Sequence, residues 1–339
     1  PGVNVKTAMK WQELVEQYQP LDWSRIKISN DRIATIFYTS GTTGEPKGVM
    51  HRFASFSTAG HTILGDLKLS GRQRFFSYLP LAHAAERLLV ETMAIYSAGT
   101  IYFTDSLKTF ARDLKAAKPT VFLAVPRLWL KFQEQILNKI PQKRLDLLLR
   151  IPFVASFVKR KLKQQLGLDH AKYVVTGAAP TPVSLIEWFD KLNVIIGEAY
   201  GMTENIAFAY YNRPDSRKIG SVGVPWTGVD ARIAPENGEL LVKSPANMVG
   251  YFKQPELTES CFVDGYFKTG DLGRIDQNGF LSIVGRAKEQ FKSSKGKYVD
   301  PAPIENRIAT DFYVDHVCVM GENLPQPLAL VTLNETSKS

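Results

Sequence analysis

Ten consecutive residues, Thr39-Ser40-Gly41-Thr42-Thr43-Gly44-Glu45-Pro46-Lys47-Gly48, combine glycines, hydroxyl side chains and one ammonium group. Glycines let a backbone come close to a ligand and turn its N–H groups outward, hydroxyls add donors, and Lys47 adds a cation, a set suited to polyphosphate. The spacing is not that of a Walker loop, because Glu45 and Pro46 separate Gly44 from Lys47. A polar turn is the plain alternative for any run of Gly, Ser and Thr. Downstream, Glu204 closes Tyr200-Gly201-Met202-Thr203-Glu204, and Asp271 lies between Gly270 and Gly273. Magnesium prefers one or two carboxylates plus phosphate oxygens, so Glu204 with a triphosphate would complete such a shell. Taken alone, Glu204 could equally be a surface residue opening a helix, and Asp271 a turn residue. No G-x-S-x-G elbow supplies a serine nucleophile.

The elements that must carry these residues alternate in the first half of the chain. A strand-like Arg32 to Tyr38 leads into the loop, and a helical run from Ala84 to Ala98 stops at Gly99 before the β-rich Thr100 to Thr104. Leu107, Phe110, Ala111, Leu114 and Ala117 recur at helical spacing ahead of Pro119, and Val121 to Val125 reads as a short buried strand. A helix from Pro126 carries Trp129, Phe132 and Ile136. Residues 172–200 repeat the scheme as strand Lys172 to Thr176, helix Pro182 to Leu192 and strand Asn193 to Ile196. Helix and strand in alternation without hairpin turns predict a parallel sheet with crossover helices. After Gly220 the pairs Asn237-Gly238 and Asn278-Gly279 predict antiparallel hairpins. A third texture, with Arg286, Lys288, Lys292, Lys295 and Lys297 before Pro301 and Pro303, reads as a linker into a small terminal domain. The expected division is an α/β core over 1–219, a β-rich subdomain over 220–285, and a hinge with the start of a C-terminal domain over 286–339.

Composition narrows the class. The chain has 339 residues, 44% hydrophobic and 22% charged, ordinary globular usage for about two domains. Two cysteines and five histidines argue against a disulfide scaffold or a multi-Cys zinc site, and Cys261 and Cys318, far apart in sequence, fit a reducing, cytoplasmic setting. The longest apolar stretch, Leu147 to Val158, is interrupted by Arg150 and Pro152 and is too short to cross a bilayer. No signal peptide opens the chain, and a start at Pro1 suggests a fragment. Net charge is +9, and residues 143–172 hold eight of the basic side chains against Asp146 and Asp169. Interleaved with Leu147, Phe153, Val154, Phe157 and Val158, that stretch suits either an anionic membrane surface or a solvated helix packing its apolar side inward. Neither aromatic stacking nor a reader motif accompanies the charge, so no nucleic-acid partner is expected.

The chain resembles the acyl-adenylate-forming superfamily of acyl-CoA synthetases, adenylation domains and luciferases. The resemblance rests on the Thr39–Gly48 loop, on Tyr200–Glu204, on Phe267-Lys268-Thr269-Gly270-Asp271 and on Gly285-Arg286-Ala287-Lys288, in that order. It runs from about Asp31 to Glu305. It implies an α/β large domain of mostly parallel sheet with flanking helices, a small β-rich subdomain and a partial α+β C-terminal domain. It also implies ATP, Mg²⁺ and CoA: a carboxylate is joined to AMP with release of pyrophosphate, and a thiol then displaces AMP. By resemblance Thr39, Ser40, Gly41, Thr42, Thr43, Gly44 and Lys47 hold phosphate. Gly177, Ala178, Ala179 and Pro180 lie along adenine, Tyr200 stacks on it beside Gly201, Thr203 meets phosphate and Glu204 the metal. Asp271 takes the ribose, Arg286 is a second nucleotide contact and Lys288 a hinge. His83 would stand between the nucleotide and acyl pockets, although a lone histidine could equally be a core residue. Lys292 and Gly296 would line the path of CoA, where a missing side chain admits pantetheine.

The segments Gly296 to Asn306 and Tyr173 to Pro180 resemble long-chain fatty acyl-CoA synthetases, which makes a fatty acid the expected substrate and the inner face of the membrane an expected location. Two departures stand out. Only about 38 residues precede the loop, and no P-x-x-x-x-G-K follows Val317 to Val331, so the family's C-terminal lysine has no counterpart. The alternatives are a fatty acyl-AMP ligase or adenylation domain that loads a carrier protein, and a nucleotide-binding module without turnover. Oligomeric state is not legible.

Overall fold

A computed structural model describes residues 11–20, 22, 24, 26–39, 45–309, 311 and 313–333 of the chain. Strands β1 (Ile33–Thr39) and β2 (Lys47–Arg52) pair antiparallel across the loop, with Thr39 opposite Lys47. The next strands are β3 (Arg74–Ser77), β4 (Thr100–Phe103), β5 (Val121–Ala124), β6 (Tyr173–Thr176), β7 (Ile196–Tyr200), β8 (Tyr210–Tyr211) and β9 (Val224–Pro225). They form one sheet in the order β4-β3-β5-β6-β7-β8-β9, parallel through β7 and antiparallel beyond it.

Adjacent residues of these strands enter different cores. Phe75, Val121 and Val175 belong to one cluster, and Phe76, Phe122 and Val174 to the other. A sheet buried on both faces requires continuous apolar strands, which is why Val121 to Ala124 shows no polar alternation. Crossover helices cover the faces. Trp129, Phe132 and Ile136 of helix Pro126–Lys139, spaced three and four apart, are all buried in the second cluster.

Two details depart from the sequence reading. The strand expected over 193–196 begins at Ile196 and runs to Tyr200, because Asn193 adopts a left-handed turn (φ 59°) and buried Val194 packs within that turn. The helix expected from Ala84 forms, but Arg87–Thr92 is wound as π-helix. There the Thr92 hydroxyl donates to the Arg87 carbonyl five residues back, at 2.7 Å.

The β-rich part follows: β10 (Asp230–Ile233), β11 (Glu239–Lys243), β12 (Gly250–Tyr251), β13 (Phe262–Val263), β14 (Tyr266–Ile275) and β15 (Leu281–Arg286). All but β12 form one antiparallel sheet. Its hairpins turn at Gly238 (φ 76°) and Gly279 (φ 83°), as the Asn-Gly pairs predict. β12 instead pairs with β2, Gly250 opposite Met50 and Tyr251 opposite Val49. The last elements are hairpin β16 (Phe291–Lys292) and β17 (Tyr298–Val299), helix Pro301–Ile308, and the pair β18 (Val314–Met320) and β19 (Leu328–Leu333).

Among the described residues no helix is long and apolar enough to cross a membrane. Helices Gln142–Arg150 and Pro152–Leu166 form a hairpin bent at Ile151. Its inner side buries Leu145, Ala155 and Leu166, while Leu147, Ile151, Phe153 and Phe157 stay exposed, Phe153 at 92%.

Candidate active site

Three candidate segments leave the carboxyl ends of parallel strands, where open α/β sheets place ligand groups. Residues 78–83 follow β3, residues 177–180 follow β6, and residues 201–204 follow β7, with β6 and β7 direct neighbours. Close packing fixes the last two. A Cβ on Gly201 would lie 2.5 Å from the Ala207 main chain, and one on Gly177 2.8 Å from the Ala199 carbonyl oxygen. Ala178 is held at φ 68°, a conformation alanine seldom adopts. Ala178, Ala179 and Pro180 are exposed.

One corner of the site is built by Tyr200, Asp271 and Arg286. The Tyr200 hydroxyl donates to Asp271 Oδ2 at 2.7 Å, and Arg286 Nε lies 3.0 Å from Asp271 Oδ1. Two separate motifs meet here because Asp271 on β14 and Arg286 on β15 are direct cross-strand partners. Thr269 steadies the stretch of β14 leading into Asp271, its hydroxyl donating to the Leu240 carbonyl and accepting from the Asp271 N–H. Burial pushes the Asp271 carboxyl up, and the bonds from Tyr200 and Arg286 oppose that shift. Burial, and then the Asp271 charge, raise the Tyr200 hydroxyl well above its ordinary range, so it remains a donor.

The second corner joins Lys47, Glu204 and a residue the sequence reading missed, Tyr251. The Tyr251 hydroxyl donates to Glu204 Oε1 at 2.8 Å, and Lys47 Nζ lies 5.5 Å from the Tyr251 ring centroid, within reach of a cation–π contact. Glu204 is also fixed through its main chain, whose carbonyl accepts from the Met248 N–H at 2.7 Å. Thr203 is held by a second missed residue: His51 Nε2 donates to the Thr203 carbonyl at 2.7 Å. His51 is fully buried among Phe37 and Phe56, and burial lowers its pKa to about 4, so the imidazole is neutral. Asn205 completes the turn by accepting from the Met202 N–H at 2.8 Å. The available signal for His51 was the two-residue period of a strand, which puts Lys47, Val49 and His51 on one side of β2.

The remaining candidates are placed as follows. Thr39 ends β1 and Lys47 opens β2, while Ser40, Gly41, Thr42, Thr43 and Gly44 lie outside the described residues. His83 is exposed at the start of helix Ala84–Glu86. Lys292 and Gly296 lie on the β16–β17 hairpin, Lys292 with its Nζ 5.1 Å from the Tyr298 ring centroid. Main-chain bonds tie that hairpin to Asn323 and Leu324. Lys288 is an exposed residue of the turn after β15. Among the described residues no group of three or more His, Cys, Asp or Glu could hold a metal. A lone Glu204 carboxylate therefore fits a magnesium ion that arrives with phosphate and water in its shell, and does not fit an all-protein metal cage.

Comparison with known proteins decides the family. The family model for AMP-binding enzymes matches residues 4–252, and that for the AMP-binding enzyme C-terminal domain matches residues 288–339. The chain belongs to the AMP-binding enzymes. It is 34% identical over 331 residues to the long-chain-fatty-acid–CoA ligase FadD15 of Mycobacterium bovis, covering 89% of this chain and 54% of that protein. It is 32% identical over 341 residues to long chain acyl-CoA synthetase 4 of Arabidopsis thaliana, covering 88% and 50%. The chain thus spans about half the length of these relatives. Among solved structures, o-succinylbenzoate CoA synthetase from Bacillus subtilis, in complex with its acyl-adenylate, superposes with a TM-score of 0.75 at 24% identity, over 91% of this chain and 61% of that one. That likeness carries the fold.

Proposed function

We propose that this chain carries the nucleotide and acyl-activating site of a long-chain fatty acid:CoA ligase. The observation that carries the reading is the joining of three separate motifs into one paired corner, Tyr200 meeting Asp271 and Arg286 of the β14–β15 hairpin, beside the Glu204 segment at the carboxyl end of the sheet. The long-chain relatives favour a fatty acid as the substrate. In the proposed reaction a fatty acid carboxylate oxygen attacks the α-phosphorus of ATP and pyrophosphate leaves, and the CoA thiol then attacks the acyl carbon and AMP leaves. The negative charge that concentrates at phosphorus needs preorganised cations and N–H donors rather than a protein nucleophile. Lys47 and the loop from Thr39 meet the phosphates, Thr203 flanks them, and Asp271 accepts from the ribose hydroxyls with Arg286 beside it. Bound magnesium would neutralise phosphate charge, and Glu204 is the carboxylate that would hold it. Gly177 to Pro180 and Tyr200 form the adenine side, His83 stands at the acyl entrance, and Lys292 with Gly296 line the approach of CoA.

The decisive assay measures pyrophosphate exchange and CoA-dependent AMP release on the full-length protein with acids of rising chain length. Exchange and thioester formation with long-chain acids are expected. Exchange without CoA-dependent AMP release would point to carrier-protein loading, and no exchange with any acid would leave nucleotide binding alone. The same reading divides the chain at 219/220 and 285/286. The separate sheet of β10, β11 and β13 to β15 supports that division, although β12 crosses it to reach β2.

The helical hairpin supports a place at an anionic membrane. Leu147, Ile151, Phe153 and Phe157 stay exposed beside Lys143, Arg144, Arg150, Lys159, Arg160 and Lys161, the pairing of apolar insertion and charge attraction that an interfacial helix uses. Sedimentation with vesicles containing phosphatidylglycerol, compared with pure phosphatidylcholine, tests this. Binding that falls with salt and with a Phe153→Ser, Phe157→Ser double variant is expected. Equal behaviour on both vesicles would remove the membrane from the account.

A further inference from the structure

Tyr251 lies outside every motif that led to the site, yet it touches two of the site's charged residues. It arrives on the two-residue strand β12, which pairs with Val49 and Met50 in the middle of β2, and its ring lies near Lys47, which opens that strand. Its hydroxyl crosses to Glu204, which lies in the 3-10 turn Thr203–Asn205 after β7 and is 47 residues away in sequence. The ring is 6% exposed, and the β12 backbone is pinned in turn by the Tyr251 N–H donating to the Thr258 hydroxyl at 2.8 Å. At 2.8 Å from Glu204 Oε1, the hydroxyl donates to the carboxylate. A rigid side chain that meets an ammonium with its face and a carboxylate with its tip fixes the distance between them. Lysine and glutamate alone, both with several rotatable bonds, would collapse toward each other or swing apart.

We infer that Tyr251 is a positioning residue that sets the spacing of Lys47 and Glu204, and so the geometry in which the chain receives a magnesium triphosphate. The inference rests on the reading of this corner as the phosphate end of the nucleotide site. Tyr251 itself takes no part in bond making. Its hydroxyl orders Glu204 and its face orders Lys47, so the two functions separate by substitution. Tyr251→Phe removes the first and keeps the second, while Tyr251→Leu removes both.

The test is calorimetric titration of the full-length protein and the two variants with Mg·ATP and with metal-free ATP, alongside the Mg²⁺ concentration for half-maximal pyrophosphate exchange. Tyr251→Phe is expected to weaken Mg·ATP binding about 10-fold, the effect of losing one hydrogen bond to a charged group, and to raise the Mg²⁺ requirement. Metal-free ATP binding and the KM for fatty acid should stay within about twofold of wild type, a split that general loosening would not produce. In a Glu204→Gln background the same Phe substitution should change Mg·ATP affinity less than threefold. Tyr251→Leu should also weaken metal-free ATP. If Tyr251→Phe leaves both Mg·ATP affinity and Mg²⁺ requirement at wild-type values, the inference is overturned whatever the Leu variant does. If the wild type binds no Mg·ATP, the reading of the site fails, and the inference with it.

Discussion

The two corners of the site use the same three chemical parts in different proportion. At one, Tyr200 and Arg286 engage both oxygens of Asp271, whose side chain is 6% exposed. At the other, Tyr251 engages one oxygen of Glu204, a half-buried residue, and the cation touches the tyrosine ring rather than the acid. The difference teaches what each carboxylate is prepared for. A carboxylate held on both oxygens by its own chain is a fixed acceptor, suited to a neutral sugar whose hydroxyls must be met at a set angle. A carboxylate held on one oxygen and through its main chain keeps capacity for a hard cation.

That contrast can be broken or sharpened by substitution. The largest effect is expected from Asp271→Ala, which strips the corner proposed to hold ribose of its acceptor and leaves Tyr200 and Arg286 without their shared partner. ATP use should fall by roughly one to three orders of magnitude, and a near-normal KM for ATP would refute the ribose role. Gly201→Ala comes next. Its Cβ would meet the Ala207 main chain, so the turn carrying Thr203 and Glu204 must shift, and Mg·ATP affinity should drop at least roughly 10-fold while the Asp271 corner persists. Arg286→Lys should be milder, about 3- to 10-fold on KM for ATP, because a lysine keeps the charge and loses the planar N–H geometry. An equal loss from Arg286→Lys and Asp271→Ala would mean that the corner acts through charge alone.

The smallest effect concerns a third carboxylate, Glu198, on the strand that ends in Tyr200. Among the described residues no tyrosine hydroxyl bonds to it. Its Oε2 is buried without a hydrogen bond, and burial pushes its pKa up to about 8, with Arg217 opposing. A carboxyl raised above its ordinary value binds protons more tightly in the folded chain, so stability is lost as pH rises from about 4.5 to 8. Glu198→Gln should remove that slope and raise Tm by roughly 2–5 °C at pH 8, with little change at pH 5. Thermal melts across that range check it, and a pH-independent difference would contradict the assignment.

How much of this was legible follows from how local each feature is. Strand Val121 to Ala124 and the Trp129, Phe132, Ile136 stripe are written in short-range periodicity, and both form where the pattern places them. The Asn-Gly turns are equally local. Asp271 and Arg286 were legible as separate motifs, and the Asn278-Gly279 turn midway between them was the local signal that sets them opposite each other on β14 and β15. Tyr251 and His51 left still less trace, because each acts through contacts to residues far along the chain, and such long-range contacts leave no repeat. Strand β7 was misplaced because apolar Val194 looks like a strand residue and packs instead in the turn after a helix. Composition made the basic hairpin visible but could not say that Leu145 turns inward while Phe153 turns out.

The pairing of Gly250 with Met50 also sets a schedule for biosynthesis. Strand β2 leaves the ribosome about 200 residues before the strand that completes its sheet, an interval of roughly 10–40 s at ordinary elongation rates. During that interval the edge of β2 that β12 later covers has no partner from its own chain, and unpaired strand edges attract other strands. A nascent chain stalled between these two points would be the form most in need of a chaperone.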